Sequence, residues 1–205
     1  MKPEEIENKS FEIILNEIDK DYFNLIPDNM KPVVIRVIHA TADFDFLYNL
    51  KFTENFYDTA INSLKKGCVI LTDVEMVKTG ISKFLCEKFG IDVRCYMSSN
   101  DVIEYAKNNS ITRAKASMIL HAKEADNGII VIGNAPTSLF QVIELIKSSK
   151  INPSAIVGVP VGFVGAEESK NELRKLNIPH ITAVGRKGGT PVAVAIINAL
   201  LNSIK

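Results

Sequence analysis

The feature that most constrains the fold is the alternation, beyond Gly67, of short apolar runs with longer amphipathic segments. The runs are five or six residues long and mainly apolar, and they are CVILTD (68–73), DVRCYM (92–97), IIVIG (129–133), AIVGVP (155–160) and HITAVG (180–185). Runs of this kind are typical of strands that are buried on both faces. The alternation therefore predicts an α/β fold with a Rossmann-like, mostly parallel sheet flanked by helices.

Helical patterns separate these runs and also fill the N-terminal third of the chain. Between and after the strands we predict helices at about 74–89, 101–107, 112–125, 136–148, 166–176 and 191–204. An N-terminal helical segment is predicted to start near Pro3, followed by a helix from Val33 to about Asp43 and by one that Thr53 caps and Gly67 ends. The length favours one domain over residues 1–205.

Composition excludes several classes of protein. Lys plus Arg and Asp plus Glu number 24 each, so the chain lacks the basic surplus that is typical of nucleic-acid-binding proteins. No apolar run approaches the roughly 20 residues of a membrane span. The N-terminus carries acidic residues where a secretory signal would be positively charged. The three cysteines, without a CxxC spacing, are expected to be reduced. We expect a cytoplasmic protein with no nucleic-acid or membrane partner.

Three loops rich in glycine and proline follow predicted strands, at the edge where ligands bind in parallel sheets. They are GNAPT (133–137), GVPVGFVGAEESK (158–170) and GRKGGTP (185–191). Glycine lets backbone amides approach a ligand, so we expect these amides to hold its anionic groups. Any α/β protein needs glycine at some strand–helix junctions, but three such loops on one edge favour a ligand-binding face.

One histidine has neighbours that suggest chemistry. In VVIRVIHATAD (33–43), helical spacing places Arg36, His39 and Asp43 on one face. A cation, an imidazole and a carboxylate on one stripe could hold an anionic substrate and transfer a proton within it, with Asp43 orienting the imidazole. The alternative is a surface helix whose polar side includes a histidine by chance, and spacing alone slightly favours that alternative.

Other common sites are not supported. His121 is expected to have a structural or surface role and His180 a structural one, and no His, Cys or acidic residues have the spacing of a metal site. A GxSxG nucleophile motif and a Walker A motif are absent, and the glycines at 158, 162 and 165 do not fit GxGxxG, which disfavours a dinucleotide-dependent oxidoreductase. Scattered cations near the loops suit a large ligand with several carboxylates, and they are Arg36, Arg113, Lys170, Arg186 and Lys187.

Seven segments, in order along nearly the whole chain, resemble the precorrin-8X methylmutase family of corrin biosynthesis, also called cobalt-precorrin-8 methylmutases. They are SFEII (10–14), RVIHA (36–40), LTDVEMVKTGI (71–81), TRAKA (112–116), IGNAPTSLF (132–140), GVPVGFVGAEESK (158–170) and GRKGGTPVAVA (185–195). The run PVGFVGAEESK is highly specific. In the family the motif histidine is often followed by alanine, a small residue and glycine; here Ala40, Thr41 and Ala42 follow and keep the small character.

The resemblance implies a homodimer without an organic cofactor, and it implies an isomerase that moves a methyl group from C11 to C12 of a precorrin-8 type tetrapyrrole. It gives the acid–base role to His39 and substrate contacts to Ser10, Arg36 and Arg113. We add Asn134 and Lys187 of the glycine-rich loops as substrate-binding residues, and no metal ligand. A non-catalytic corrinoid-binding carrier is the alternative. Whether the substrate contains cobalt stays open.

Overall fold

The computed structural model describes residues 3–204, which form a six-stranded sheet with helices on both faces. The strands are β1 (Leu50–Phe52), β2 (Val69–Thr72), β3 (Asp92–Arg94), β4 (Ile129–Ile132), β5 (Ala155–Gly158) and β6 (His180–Ala183). Their order is β1-β6-β5-β4-β2-β3, and every neighbouring pair is parallel except β1 and β6. The predicted α/β class and mostly parallel sheet are confirmed.

Twelve α-helices lie within the described residues. They are α1 (Pro3–Glu17), α2 (Lys20–Asn24), α3 (Lys31–Thr41), α4 (Phe46–Asn49), α5 (Phe56–Lys65), α6 (Glu75–Gly80), α7 (Lys83–Phe89), α8 (Asn100–Asn108), α9 (Arg113–His121), α10 (Pro136–Lys147), α11 (Ala166–Leu173) and α12 (Thr190–Ser203), with a 3-10 turn at Ala122–Ala125. None of the helices between residues 3 and 204 is long and apolar enough to cross a membrane.

The central strands are buried on both faces, and this is what separates the helices into two layers. In β4, Ile129 and Val131 join the core beneath α1, α3, α5, α6, α7 and α12, whereas Ile130 and Ile132 join the core beneath α9, α10 and α11. All four side chains are fully buried. Because successive side chains of a strand point to opposite faces, an uninterrupted apolar run needs a helix layer on each side.

The antiparallel edge strand β1 was not predicted. It spans three residues, and its pairing partner β6 lies 130 residues further along the chain, so local periodicity gives no signal for it. Thr53 was predicted to cap the following helix, and this is wrong. Its N–H donates to His180 O (3.0 Å) and its hydroxyl accepts from the His180 N–H (3.1 Å), so Thr53 extends the strand pairing and α5 begins at Phe56.

The single helix predicted over 74–89 is also wrong, because α6 ends at Gly80 and α7 starts at Lys83. The side-chain amide of Asn198 in α12 occupies the break: it accepts from the Ser82 N–H (2.9 Å) and donates to Gly80 O (3.0 Å). Gly80 also packs against Val194, since a Cβ at Gly80 would lie 2.6 Å from a Val194 methyl group. Contact with α12 thus replaces the helical bonds that are lost at the break.

Replacing Asn198 with alanine should lower the free energy of unfolding by about 1–3 kcal/mol, because two backbone groups at the break lose their partner. Urea denaturation measures this change. Asn202→Ala is the matched control, since Asn202 lies one turn later in α12 and makes one bond, to Asn198 O. An equal loss in both variants would contradict the role given to Asn198.

Candidate active site

The order of the strands places a topological switch point between the carboxyl ends of β2 and β4. From β2 the chain passes through α6 and α7 to β3 on one side of β2, and from β3 it returns through α8 and α9 to β4 on the other side. The helices that follow β2 and β4 consequently lie on opposite faces of the sheet. A ligand site in an open α/β sheet is expected at such a switch point.

The loops after β5 and β6 are bonded into one unit at this edge. The Gly189 N–H donates to Val159 O (2.8 Å), and the Gly162 N–H donates to Arg186 O (3.2 Å). Gly188 has φ +154°, and a Cβ there would lie 2.4 Å from Val159 O. Glycine is required at this position because both the backbone conformation and the close approach exclude a side chain.

Asp73, which directly follows β2, organises the loop after β4. Its buried carboxylate accepts from the N–H groups of Gly133 (3.0 Å), Asn134 (2.8 Å) and Ala135 (2.7 Å). Burial raises the pKa of the Asp73 carboxyl, and the three donors act in the opposite direction. The expectation that the amides of this loop hold a ligand's anionic groups is therefore wrong for residues 133–135, whose N–H groups point to Asp73.

Lys170 lies beneath the loop after β6 rather than at its surface. The side chain is fully buried, and its ammonium donates to Lys187 O (2.6 Å). Burial lowers the pKa of Lys170 to about 8, with Glu167 partly opposing the shift. Lys170 thus supports the loop from below and is not one of the cations that a ligand meets directly.

The predicted stripe on α3 is correct for two of its three members. The helix ends at Thr41, and Ala42 has φ +52°, so Asp43 leaves the helical face of Arg36 and His39. The Asp43 carboxylate instead accepts from the Asp45 N–H (3.0 Å) and from the Lys187 ammonium (2.5 Å). The hydrogen bond from Lys187 lowers the pKa of Asp43, and the same ammonium lies 2.7 Å from Asp45. The proposed orientation of His39 by Asp43 is therefore wrong.

His39 is exposed and packs against α1. Its ring meets the Phe11 ring edge-on, with 5.1 Å between centroids, while the Arg36 guanidinium lies 5.2 Å from the centre of the same ring. Arg36 also pairs with Glu7 of α1 (2.7 Å). Within residues 3–204, neither ring nitrogen of His39 has a hydrogen-bond partner. Both nitrogens are therefore available to a ligand.

Two open clefts flank His39. One, of about 250 Å³, lies between α1 and the end of α3 and includes Ser10 and His39. The other, of about 300 Å³, lies between α3 and the start of α12 and includes Arg36, His39 and Pro191. A larger cleft of about 500 Å³ beside α6, α7 and β3 includes none of the predicted site residues. The structure thus brings together Ser10, Arg36 and His39.

Arg113 and Asn134 lie outside both clefts, further along the carboxyl edge of the sheet, and both are exposed. Asn134 is in the loop held by Asp73. Arg113 begins α9 next to Thr112, whose hydroxyl is 3.0 Å from the Thr137 hydroxyl near the start of α10. Gly133, in the same loop as Asn134, packs closely against the start of α12, since a Cβ at Gly133 would lie 3.3 Å from Thr190 Cα. Contacts thus run along this edge from Arg113 to the start of α12, which borders the cleft that contains Arg36 and His39.

The other two histidines have structural surroundings. His180 is buried, its Nδ1 lies 2.8 Å from Ile178 O, and burial lowers its pKa. His121 lies between Asp101 (2.8 Å) and Glu124 (2.9 Å), with its ring stacked on Tyr96. These contacts agree with the structural role that was predicted for both residues.

Sequence comparison decides the family. A sequence model described as precorrin-8X methylmutase matches residues 5–203. The chain belongs to the precorrin-8X methylmutase family. It is therefore an isomerase of the methylmutase type, and the family takes part in cobalamin biosynthesis.

Relatives and a solved structure agree with this assignment. The cobalt-precorrin-8 methylmutase of Priestia megaterium is 44% identical, over 98% of this chain and 88% of its own length. That of Methanocaldococcus jannaschii is 46% identical, over 96% of this chain and 91% of its own. The crystal structure of a precorrin-8X methylmutase from Thermus thermophilus matches with a TM-score of 0.88 at 32% identity, covering 97% of this chain and 95% of that one.

Burial of Lys170 should make the free energy of unfolding depend on pH between about 8 and 10.5. Its pKa of about 8 in the folded protein lies below the ordinary value of 10.5, so the unfolded chain binds more protons between these values. The free-energy penalty for burying the charged ammonium is absent above pH 10.5 and grows as the pH falls to 8, so the protein loses stability in that direction. Relative to Lys170→Met, the wild type should gain up to about 3 kcal/mol of unfolding free energy from pH 8 to 10.5.

Denaturant titrations across this pH range measure the gain, with Lys175→Met as the control because Lys175 is an exposed lysine nearby. If the wild type and Lys170→Met showed parallel pH profiles, the ammonium would not be desolvated in the folded protein.

Proposed function

We propose that this methylmutase moves the methyl group of a precorrin-8 type macrocycle from C11 to C12, with His39 as its acid–base residue. The observation that carries the proposal is the position of His39: an exposed imidazole without a hydrogen-bond partner among the described residues, between two clefts that also contain Ser10 and Arg36. The cleft that contains Arg36 adjoins the start of α12 at the carboxyl edge of the sheet.

The reaction breaks the C11–methyl bond and forms the C12–methyl bond, with no net gain or loss of electrons or protons. Neither a nucleophile nor a redox partner is needed. His39 donates a proton or a strong hydrogen bond to a ring nitrogen or an adjacent atom of the pyrroline that carries the methyl group. The ring becomes more electron-poor, the barrier to a suprafacial shift falls, and the proton returns to His39. Histidine suits this role because its ordinary pKa is close to neutral pH.

The peripheral carboxylates of the macrocycle would meet the cations along the same edge. Arg36 offers a planar guanidinium for bidentate contact, although Glu7 holds one of its nitrogens in the free protein. Arg113 and Asn134 would contact the substrate further from His39. The Ser10 hydroxyl donates to Ile6 O (2.9 Å) and keeps its lone pairs for a substrate donor. Lys187 would contribute the ammonium proton that Asp43 and Asp45 leave free.

The names of the relatives favour a cobalt-containing substrate. The two proteins that share 44% and 46% identity are cobalt-precorrin-8 methylmutases, while the 32% identical structure is named for precorrin-8X. We propose cobalt-precorrin-8, converted to cobyrinate, ahead of precorrin-8X, converted to hydrogenobyrinate. A non-catalytic corrinoid carrier would use the same clefts; a spectral change of excess substrate at substoichiometric protein separates the enzyme from the carrier.

His39→Ala should lower turnover of cobalt-precorrin-8 by about 10²–10⁴-fold, the usual contribution of a positioned acid–base group. Binding of the macrocycle should persist, because the imidazole is not one of the charged groups that hold the carboxylates. Stopped-flow visible spectra give turnover, and a titration with the corrin product gives affinity. Near-normal turnover by His39→Ala would remove His39 from the mechanism.

Arg36→Ala is the contrasting variant in the same experiment. It should raise KM and leave turnover at saturation nearly unchanged, as expected when binding is lost equally in the ground state and the transition state. Arg174→Ala is the matched control, since Arg174 is an exposed arginine that follows α11, at the amino-terminal edge of the sheet. Unchanged product affinity in Arg36→Ala would refute the contact with Arg36.

We also propose that the enzyme is a homodimer in which α1 contributes to the interface. Ile6 and Ile13 of α1 are 53% and 47% exposed, and Ile13 borders the cleft of Ser10 and His39. A second copy over this face would bury both side chains and deepen the cleft. The cytoplasmic location and the single domain over residues 1–205 stay predictions.

Sedimentation velocity should give twice the 22.6 kDa chain mass. Ile13→Glu should shift the protein to the monomer because it places a charge in an apolar interface. Leu25→Glu, at an even more exposed apolar side chain beyond α2, should not change the mass. A wild type that sediments as a monomer at micromolar concentration would overturn the proposal.

A further inference from the structure

Asp73 is a buried carboxylate at the switch point between β2 and β4. It follows the last residue of β2, its side chain is fully buried, and its oxygens accept three N–H groups of the loop after β4. Among the ion pairs of residues 3–204, none involves Asp73. The carboxylate is therefore compensated by backbone dipoles alone.

Those dipoles belong to the segment that leads into α10, which starts at Pro136 and runs for 12 residues. A carboxylate at this place satisfies backbone donors ahead of the helix and interacts favourably with the positive end of its dipole. Because the three donors are consecutive in the chain, their bonds fix the backbone of residues 133–135 as one piece. The exposed side chain of Asn134 projects from this fixed backbone.

We infer that Asp73 is a positioning residue of the substrate site: by binding the amides of residues 133–135, it sets the position of Asn134 and of the first turn of α10. At this loop the substrate is then recognised by side chains, above all that of Asn134, and not by the backbone amides. The inference rests on the proposed function, because it takes Asn134 as a residue that contacts the macrocycle.

A second aspartate offers a matched control. Asp126 precedes β4, at the opposite edge of the sheet, and accepts one N–H, from Asn152 (2.6 Å). It connects two loops in the same way as Asp73 but far from the predicted site. If loop disorder in general weakened substrate binding, both variants would bind the substrate less tightly. If the cause is lost positioning of Asn134, only the Asp73 variant should bind it less tightly.

The experiment compares Asp73→Asn with Asp126→Asn in the full chain, with cobalt-precorrin-8 as the substrate and its corrin product as the titrant. Asparagine keeps the shape but turns an N–H₂ group toward an N–H donor, so at least one of the three bonds is lost. In Asp73→Asn, KM and the dissociation constant of the product should rise about tenfold, with kcat within about threefold of the wild type. Asp126→Asn should change neither constant by more than about twofold.

A double-mutant cycle ties the effect to Asn134. Asn134→Ala should raise KM severalfold in the wild type and by less than about twofold in the Asp73→Asn background, because the amide is already misplaced there. Independent, multiplicative effects of the two substitutions would overturn the inference, as would equal KM values in Asp73→Asn and Asp126→Asn.

If Asp73→Asn does not fold, hydrogen exchange of the wild type tests whether the amides of residues 133–135 bind Asp73 or the ligand. The amides of Gly133, Asn134 and Ala135 should exchange slowly in the free protein, and product binding should not protect them further. Fast exchange in the free protein, with protection appearing on product binding, would show that the amides serve the ligand and would overturn the inference. A wild type that lacks isomerase activity would refute the proposed function, while the exchange pattern would still test the bonds to Asp73.

Discussion

Burial of the central strands on both faces is the constraint from which the rest of the structure follows. The four residues of β4 and the four of β5 are all buried, so helices must cover the sheet on each side. Because β2 to β6 are parallel, their carboxyl ends all lie at one edge of the sheet. The strand order reverses between β2 and β4, so the helices that follow these two strands lie on opposite faces of the sheet and a topological switch point forms at that edge. The glycine-rich loops and Asp73 lie there for this reason.

Two of the cations that were predicted to meet a ligand are already paired with carboxylates of the protein. Arg36 pairs with Glu7, and Lys187 pairs with Asp43 and Asp45. Exposed pairs of this kind contribute little to stability, on the order of 0–1 kcal/mol each, so little stability would be lost if a ligand carboxylate replaced the partner. The zero net charge of the chain agrees with this arrangement, since an anionic macrocycle would be recognised by individual cations and not by a general positive field.

Sequence predicted those features of the fold that depend on local pattern. The five apolar runs became β2 to β6, and the helical spacing of Arg36 and His39 placed both residues at one site. What sequence reasoning missed depends on contacts between distant residues. Asn198 breaks the predicted 74–89 helix across 116 residues, and Asp73 binds amides 60 to 62 residues away. The signal for Asp73 was an acidic residue at the very end of an apolar run, which is an unusual place for an unpaired carboxylate.

The packing of the first third of the chain against the last helix has a consequence for synthesis. Within residues 3–204, β1 pairs only with β6, and α3, which carries His39, packs against α12. During synthesis, the apolar surface of the N-terminal helices that α12 covers therefore stays exposed until residues 190–203 have been made. Catalytic competence would then arise late and all at once, with the last helix, and a nascent or truncated chain without that helix would be both inactive and prone to aggregate.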